Sequence, residues 1–226
     1  MGANSKLIVI EGVDSSGKAT QSKLLYEYLA ANGYDVSCVE FPNYESNSSA
    51  AVKMYLNGDF GKEPDSVSAY AASVLFATDR FASVRGVWKH KFKSGIVIAD
   101  RYTTSNMVHQ ASKIADAHEK DKFLDWLYDL EYVKLGLPKP DLTIFLDMPV
   151  EYAKKLMQNR ENKFDHSQVK DIHESNDEYL YHAYDNACSV ARKYDWTHIH
   201  CVKDGKVRSI DDISAEIIEC TKKILH

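Results

Sequence analysis

The segment Gly12-Val-Asp-Ser-Ser-Gly17-Lys18 places two glycines, a lysine and two serines within seven positions. It nearly completes the pattern G-x-x-x-x-G-K-[ST], and the chemistry it suits is anion binding. Glycines let the backbone curl until its N–H groups face one point. A helix beginning there adds partial positive charge, and the lysine reaches outward to phosphate oxygens. Gly12, Ser15, Ser16, Gly17, Lys18, Ala19 and Thr20 are therefore the expected phosphate contacts. One position departs from the pattern, because Ala19 stands where Ser or Thr would hold Mg²⁺. Thr20 follows, but one step along a helix turns a side chain by about 100°. Phosphate binding survives this change, whereas metal binding through the loop does not.

Other residues could add to such a site. Asp100-Arg101 ends a β-branched run, at the end of a strand where such sheets place ligands; the plainer alternative is a structural ion pair. Arg80 lies four residues after Phe76 on an expected helix, so both can face one ligand. The alternative there is a core Phe beside a surface Arg. Asp14, within the loop, can form an Asx turn. Asn162-Lys163-Phe-Asp165 matches the guanine-reading N-K-x-D motif, but it follows a helical segment rather than a strand, and a D-x-x-G switch is missing. His198 and His200 alternate on an expected strand with no carboxylate or Cys at ligand spacing, so a structural role is expected.

The elements that must position these residues alternate along the chain. Short β-branched runs over 6–11, 36–41, 95–99, 141–146 and, more weakly, 196–202 predict strands. Helical stretches are expected over 18–31, 67–93, 103–115, 119–135, 150–160, 174–193 and 210–224, with Gly33 just past the end of the first. The pattern predicts an α/β fold, a doubly wound five-stranded parallel sheet with helices on both faces. Ligands of such sheets sit beyond the carboxyl ends of the strands, where Asp100 and Asp147 fall. The 226 residues suit a single domain, 1–226. A net charge of −5 argues against a nucleic-acid coat or a basic membrane-surface protein. Four scattered cysteines without a Cys-x-x-Cys pair suit a reducing cytoplasm. No apolar run approaches the roughly 18 residues of a membrane span, and the N-terminus enters a strand too soon for a signal peptide.

The ordered set of motifs resembles the thymidylate kinase family of P-loop nucleoside monophosphate kinases. The matching pieces are the loop with its following Ala19-Thr20-Gln21, then Phe41-Pro42, Leu75-Phe-Ala-Thr-Asp-Arg80, Asp100-Arg-Tyr-Thr-Thr-Ser105, Gly136-Leu-Pro-Lys-Pro-Asp-Leu-Thr-Ile-Phe-Leu146, and a basic segment after Arg160. The resemblance implies transfer of the γ-phosphate of ATP to a nucleoside monophosphate, most simply dTMP, with Mg²⁺ as cofactor and a homodimer as the assembly. It implies that Lys18, Asp100, Arg101 and Arg160 are catalytic, with Asp100 near the metal. It implies that Asp14, Phe41, Pro42, Tyr44, Phe76, Arg80, Arg101, Ser105 and Gln110 form the acceptor side, with Phe76 stacking on the base and Arg80 on its carbonyl edge. A lid over 160–173 would carry Arg160, Lys163 and Lys170. Two features depart from the family pattern. Tyr44 replaces an arginine expected on the acceptor phosphate, and lysines replace a second lid arginine. These leave two alternatives: a nucleotide-binding module with weakened catalysis, or a kinase for a different monophosphate.

Overall fold

A computed structural model describes residues 5–157 and 177–225. Five strands form one sheet: β1 (Lys6–Glu11), β2 (Val36–Glu40), β3 (Ile96–Asp100), β4 (Leu142–Asp147) and β5 (Thr197–His200). Their order across the sheet is β2-β3-β1-β4-β5, and every pairing is parallel. Between them run α1 (Lys18–Ala31), α2 (Ala50–Leu56), α3 (Ala69–Arg85), α4 (Thr103–His109), α5 (Ala117–Tyr128), α6 (Val150–Met157) and α7 (Asp177–Lys193). The hairpin β6 (Val202–Lys203) and β7 (Lys206–Val207) then leads into α8 (Ile210–Leu225).

Strand alternation divides the core into two layers. Ile8 and Ile10 of β1 face Leu25 and Leu29 of α1 and Ile213 and Ile217 of α8. Leu7 and Val9 point the other way, into a layer with Val84 of α3 and Tyr102. Val108 of α4 and Ala187 and Ala191 of α7 cover Phe145 on that second face. Leu25 and Leu29 are almost fully buried, so truncating either to Ala costs about 2–5 kcal/mol.

The doubly wound sheet agrees with the sequence, but several boundaries differ. The helix expected over 67–93 stops at Gly86, after which short turns lead back to the sheet. The helix expected over 103–115 breaks at Gln110 into a single tight turn, Ala111–Lys113. The stretch 119–135 begins as α5 and then widens over Asp129–Lys134, where Leu135 N donates to Leu130 O, five residues back, at 2.9 Å. The sequence signalled a turn at Val202-Lys-Asp-Gly205 but neither α2 nor the two short strands flanking that turn, which lie below the length at which periodicity is readable.

Candidate active site

The carboxyl ends of β1, β3 and β4 lie side by side. Glu11 and Asp100 end the first two strands, and the phosphate loop rises from the first. Gly12 is held close to β4, where a Cβ would meet Leu146 O at 3.0 Å and Ser16 Oγ at 2.6 Å. Gly17 takes the left-handed conformation at φ 97°, and no side chain caps α1. The first-turn N–H groups therefore face no competing side chain, and no acidic residue lies in that turn to repel an anion. Ser15 is also left-handed at φ 60°. Ser16 Oγ is buried with no hydrogen-bond partner among the described residues.

Lys18 is buried, and its Nζ donates to Gly12 O at 2.9 Å and Val13 O at 2.8 Å. Burial, followed by the nearby Arg101 charge, lowers its pKa to about 8. Asp14, Asp100 and Glu11 partly offset both effects. A lysine with a depressed pKa responds strongly to added negative charge, as a phosphate-binding group should.

Arg101 turns the chain sharply out of β3 at φ 65°, while its N–H still donates to Ile10 O at 3.1 Å. A left-handed non-glycine residue costs about 1–2 kcal/mol, and such strain gathers at functional sites. The turn brings the guanidinium back over the loop. Its Nη2 donates to Asp14 Oδ1 at 2.5 Å, and Nη1 lies 3.6 Å from Glu11 Oε1. The same Nη1 reaches Ser105 Oγ at 3.4 Å and His109 Nε2 at 3.1 Å. Burial alone would depress the Arg101 pKa, but Asp14, Glu11 and Asp100 outweigh it and hold the group charged. Tyr44 lies near enough to couple to the same charge.

Glu11 is the hub beneath this arrangement, and sequence reasoning missed it. It is 0% exposed and accepts from Gly12 N at 2.9 Å, Thr104 Oγ1 at 2.7 Å and Ser105 Oγ at 2.7 Å. Its only signal in the sequence was a charged residue ending a buried strand. Ser105 thus ties α4 to the loop.

Arg80 is neither free at the surface nor positioned by Phe76 alone. It is 2% exposed, and Glu131 grips it in a two-pronged pair, Nε to Oε2 and Nη2 to Oε1, both at 2.6 Å. Nη1 reaches Tyr102 O at 3.4 Å. Thr103 Oγ1 and Asn106 Nδ2 complete the Glu131 shell at 3.0 and 3.1 Å. Arginine has five N–H donors, and three hydrogen bonds to two partners appear here. Phe76 is half-buried and edge-on to Tyr55 of α2, with ring centroids 6.0 Å apart.

Gln110 is buried, and its Oε1 has no hydrogen-bond partner among the described residues. That costs about 1–3 kcal/mol unless a ligand supplies a donor. Phe41, which the resemblance places on the acceptor side, turns its ring into the core. Its ring is 2% exposed and packs between Trp88 and Tyr102, with centroids at 5.1 and 5.6 Å. It anchors the loop that follows β2 from within the core, because a ring at a strand end pairs with the apolar layer beneath. Pro42 is joined to it by a cis peptide. Asp79 of α3, a second residue that sequence reasoning passed over, fastens the same loop. It accepts from Asn43 N at 2.8 Å and Ser48 Oγ at 2.6 Å. Arg160, Lys163 and Lys170, and the expected lid over 160–173, lie outside the described residues.

The fit to Mg²⁺ can be judged from the donor set. Asp100 and Ala19 line one cavity, which the carboxylate shares with the position from which the loop hydroxyl is missing. Thr20, one step further along α1, is exposed. Mg²⁺ commonly needs only one or two carboxylates beside waters and substrate phosphates, so Asp100 alone fits the ion.

A phosphate loop between β1 and α1, in a parallel sheet ordered β2-β3-β1-β4-β5 with acidic strand ends around it, defines a P-loop kinase of the nucleoside monophosphate type. A sequence profile of thymidylate kinase matches residues 10–198. The chain is 35% identical over 170 residues to a probable thymidylate kinase of Thermococcus onnurineus, covering 73% of this chain and 77% of that one. It is 33% identical over 169 residues to thymidylate kinase of Mycobacterium tuberculosis, covering 74% and 77%. The solved structure of thymidylate kinase from Candida albicans shares the fold with a TM-score of 0.73 at 23% identity, covering 100% of this chain and 96% of that one. The chain belongs to the thymidylate kinase family.

Proposed function

We propose that this protein transfers the γ-phosphate of ATP to dTMP, giving ADP and dTDP. One observation carries the reading: Lys18 of the phosphate loop and Arg101, just past the end of β3, adjoin closely enough to couple electrostatically, with Asp14 bonded to the second. Two cations held by one loop, Lys18 on the Gly12 and Val13 carbonyls and Arg101 on Asp14, suit a reaction that brings two phosphates together. Phosphoryl transfer is chiefly positioning and charge neutralisation.

In this reading Lys18, Gly12, Ser15, Ser16, Gly17 and the first turn of α1 hold the donor phosphates. Arg101 holds the acceptor phosphate, with Asp14 and Glu11 fixing its direction. An acceptor phosphate oxygen forms a bond to the γ-phosphorus while the bond to the β,γ-bridging oxygen breaks, and the electron pair leaves on ADP. No side chain need remove a proton, because a phosphate monoester is largely dianionic at pH 7. Asp100 would hold Mg²⁺, which neutralises charge on the phosphates when bound. Phe76 and Tyr44 line the acceptor side, and Arg80 and Gln110 offer donors and an acceptor to the base edge. A lid over 160–173 with Arg160, Lys163 and Lys170 would close over the phosphates within the single domain 1–226. The family's homodimer also belongs to this reading, and the outward Tyr70, Val74 and Phe81 of α3 are the apolar residues that would seat it.

The test is the purified chain with ATP, Mg²⁺ and each common nucleoside monophosphate, scored by ADP release. Turnover should be fastest with dTMP. Silence with dTMP alone sinks the substrate, and silence with all of them sinks the kinase reading. Sedimentation should give twice the chain mass, and a Phe81→Asp change should halve it.

A further inference from the structure

The far side of the sheet edge holds a cluster that phosphoryl transfer does not use. β4 and β5 run parallel with Asp147 opposite His200 and Phe145 opposite His198. Residues two apart on a strand share a face, so Asp147, His198 and His200 project together. The spacing along the chain hid this, because the carboxylate lies 53 residues from His200. His200 Nδ1 is 2.8 Å and His198 Nδ1 4.0 Å from the same oxygen, Asp147 Oδ2. The three donor atoms lie within 4.8 Å of one another.

An ion bound tetrahedrally at about 2.0–2.1 Å holds its donors about 3.3 Å apart, between the two separations seen. The imidazole rings stand at 81° to each other with centroids 5.2 Å apart, so they approach a shared point from different directions. Tyr184 Oη donates to Asp147 Oδ1 at 2.7 Å. That bond fixes the carboxylate and leaves Oδ2 facing the histidines, the kind of support that metal ligands receive from their surroundings. His200 is exposed, which gives an ion a path from solvent, while the other two ligands sit deeper.

We propose that Asp147, His198 and His200 bind a divalent transition-metal ion of the zinc type, with three protein donors and a fourth position open to water. Two imidazoles and one carboxylate favour such an ion over Mg²⁺, which prefers oxygen donors throughout. The site is separate from the one at Asp100. Cys201 N donates to Asp147 O at 2.9 Å just before the β6–β7 hairpin. A bound ion therefore clamps β4 to β5 at the root of that hairpin.

The test uses the full chain, stripped with chelator and kept in excess Mg²⁺. Zn²⁺ is titrated by calorimetry, and Co²⁺ is followed by visible absorption. The wild type should take up one Zn²⁺ that His200→Ala weakens by more than about tenfold, and its tetrahedral Co²⁺ band should vanish in the same variant. His118→Ala, at an exposed position elsewhere, should change neither. Circular dichroism should show His200→Ala folded, as expected for an exposed side chain. Equal Zn²⁺ uptake by wild type and His200→Ala, or no uptake by the wild type, overturns the proposal.

Discussion

The phosphate loop holds Lys18 with backbone carbonyls five and six residues away, whereas Arg80 is held by a carboxylate 51 residues away. Arg101 resembles the second case, tied to Asp14 across 87 residues. In the proposed reading the donor side is thus built from local backbone, and the acceptor side from cations seated on carboxylates, fully buried at Glu131 and Glu11 and half-buried at Asp14. The first arrangement depends on few side chains beyond Gly12, Gly17 and Lys18. The second fails if a supporting carboxylate is lost, because a buried charge is then left without its partner.

The sharpest way to break this contrast is Glu131→Ala. It should cost about 3–5 kcal/mol in denaturant unfolding, and the double change Glu131→Leu with Arg80→Met should recover much of that. A cost under about 1 kcal/mol would show that the acceptor side does not rest on this pair. Next in size is Arg101→Met, which should lower kcat/KM for the monophosphate by roughly 10²–10³. ATP affinity measured by calorimetry should stay within about twofold; an equal loss of both would merge the two halves into one.

The third effect separates the halves by pH. Lys18 must be protonated to hold phosphate, and its pKa is about 8. ATP affinity should therefore fall about tenfold between pH 7 and pH 9. Stability should move the opposite way. Below about 8 both folded and unfolded chains carry the Lys18 proton, so the burial cost is fully present. As pH rises toward the unfolded value of 10.5 the unfolded chain binds more protons, and the fold gains stability. Lys113, also lowered to about 8 by burial, adds to the stability change but not to the affinity change. The smallest effect is Ala19→Ser. It should reduce the Mg²⁺ concentration for half-maximal activity by roughly two- to fivefold, by restoring one oxygen ligand. No change would mean that Asp100 and the phosphates suffice.

The same contrast explains what could be read from the sequence. The loop, the parallel sheet and the strand-end Asp100-Arg101 were legible because a few adjacent residues encode each of them. Gly12 and Lys18 signal their roles within seven positions. Glu11, Asp79 and Glu131 were not legible as supports, since their partners are 93, 36 and 51 residues distant. The direction of the Phe41 ring was not legible for a related reason: a motif marks where a residue lies, but only the packing of Trp88 and Tyr102 around it decides which way its ring faces. The Asp147, His198 and His200 cluster was hidden by strand register.

The widened turn at Asp129–Lys134 has a consequence for how the chain can change in length. Upstream, Phe123, Leu124 and Leu127 fix the phase of α5 against its neighbours. The extra residue in the turn shifts the downstream phase by about 100°, and Glu131 comes inward under Arg80. Deleting any one residue between 129 and 131 would restore a regular helix and rotate the following carboxylate out of reach. An insertion in an exposed connecting loop costs far less. This short stretch therefore specifies a count of residues as strictly as it specifies a side chain.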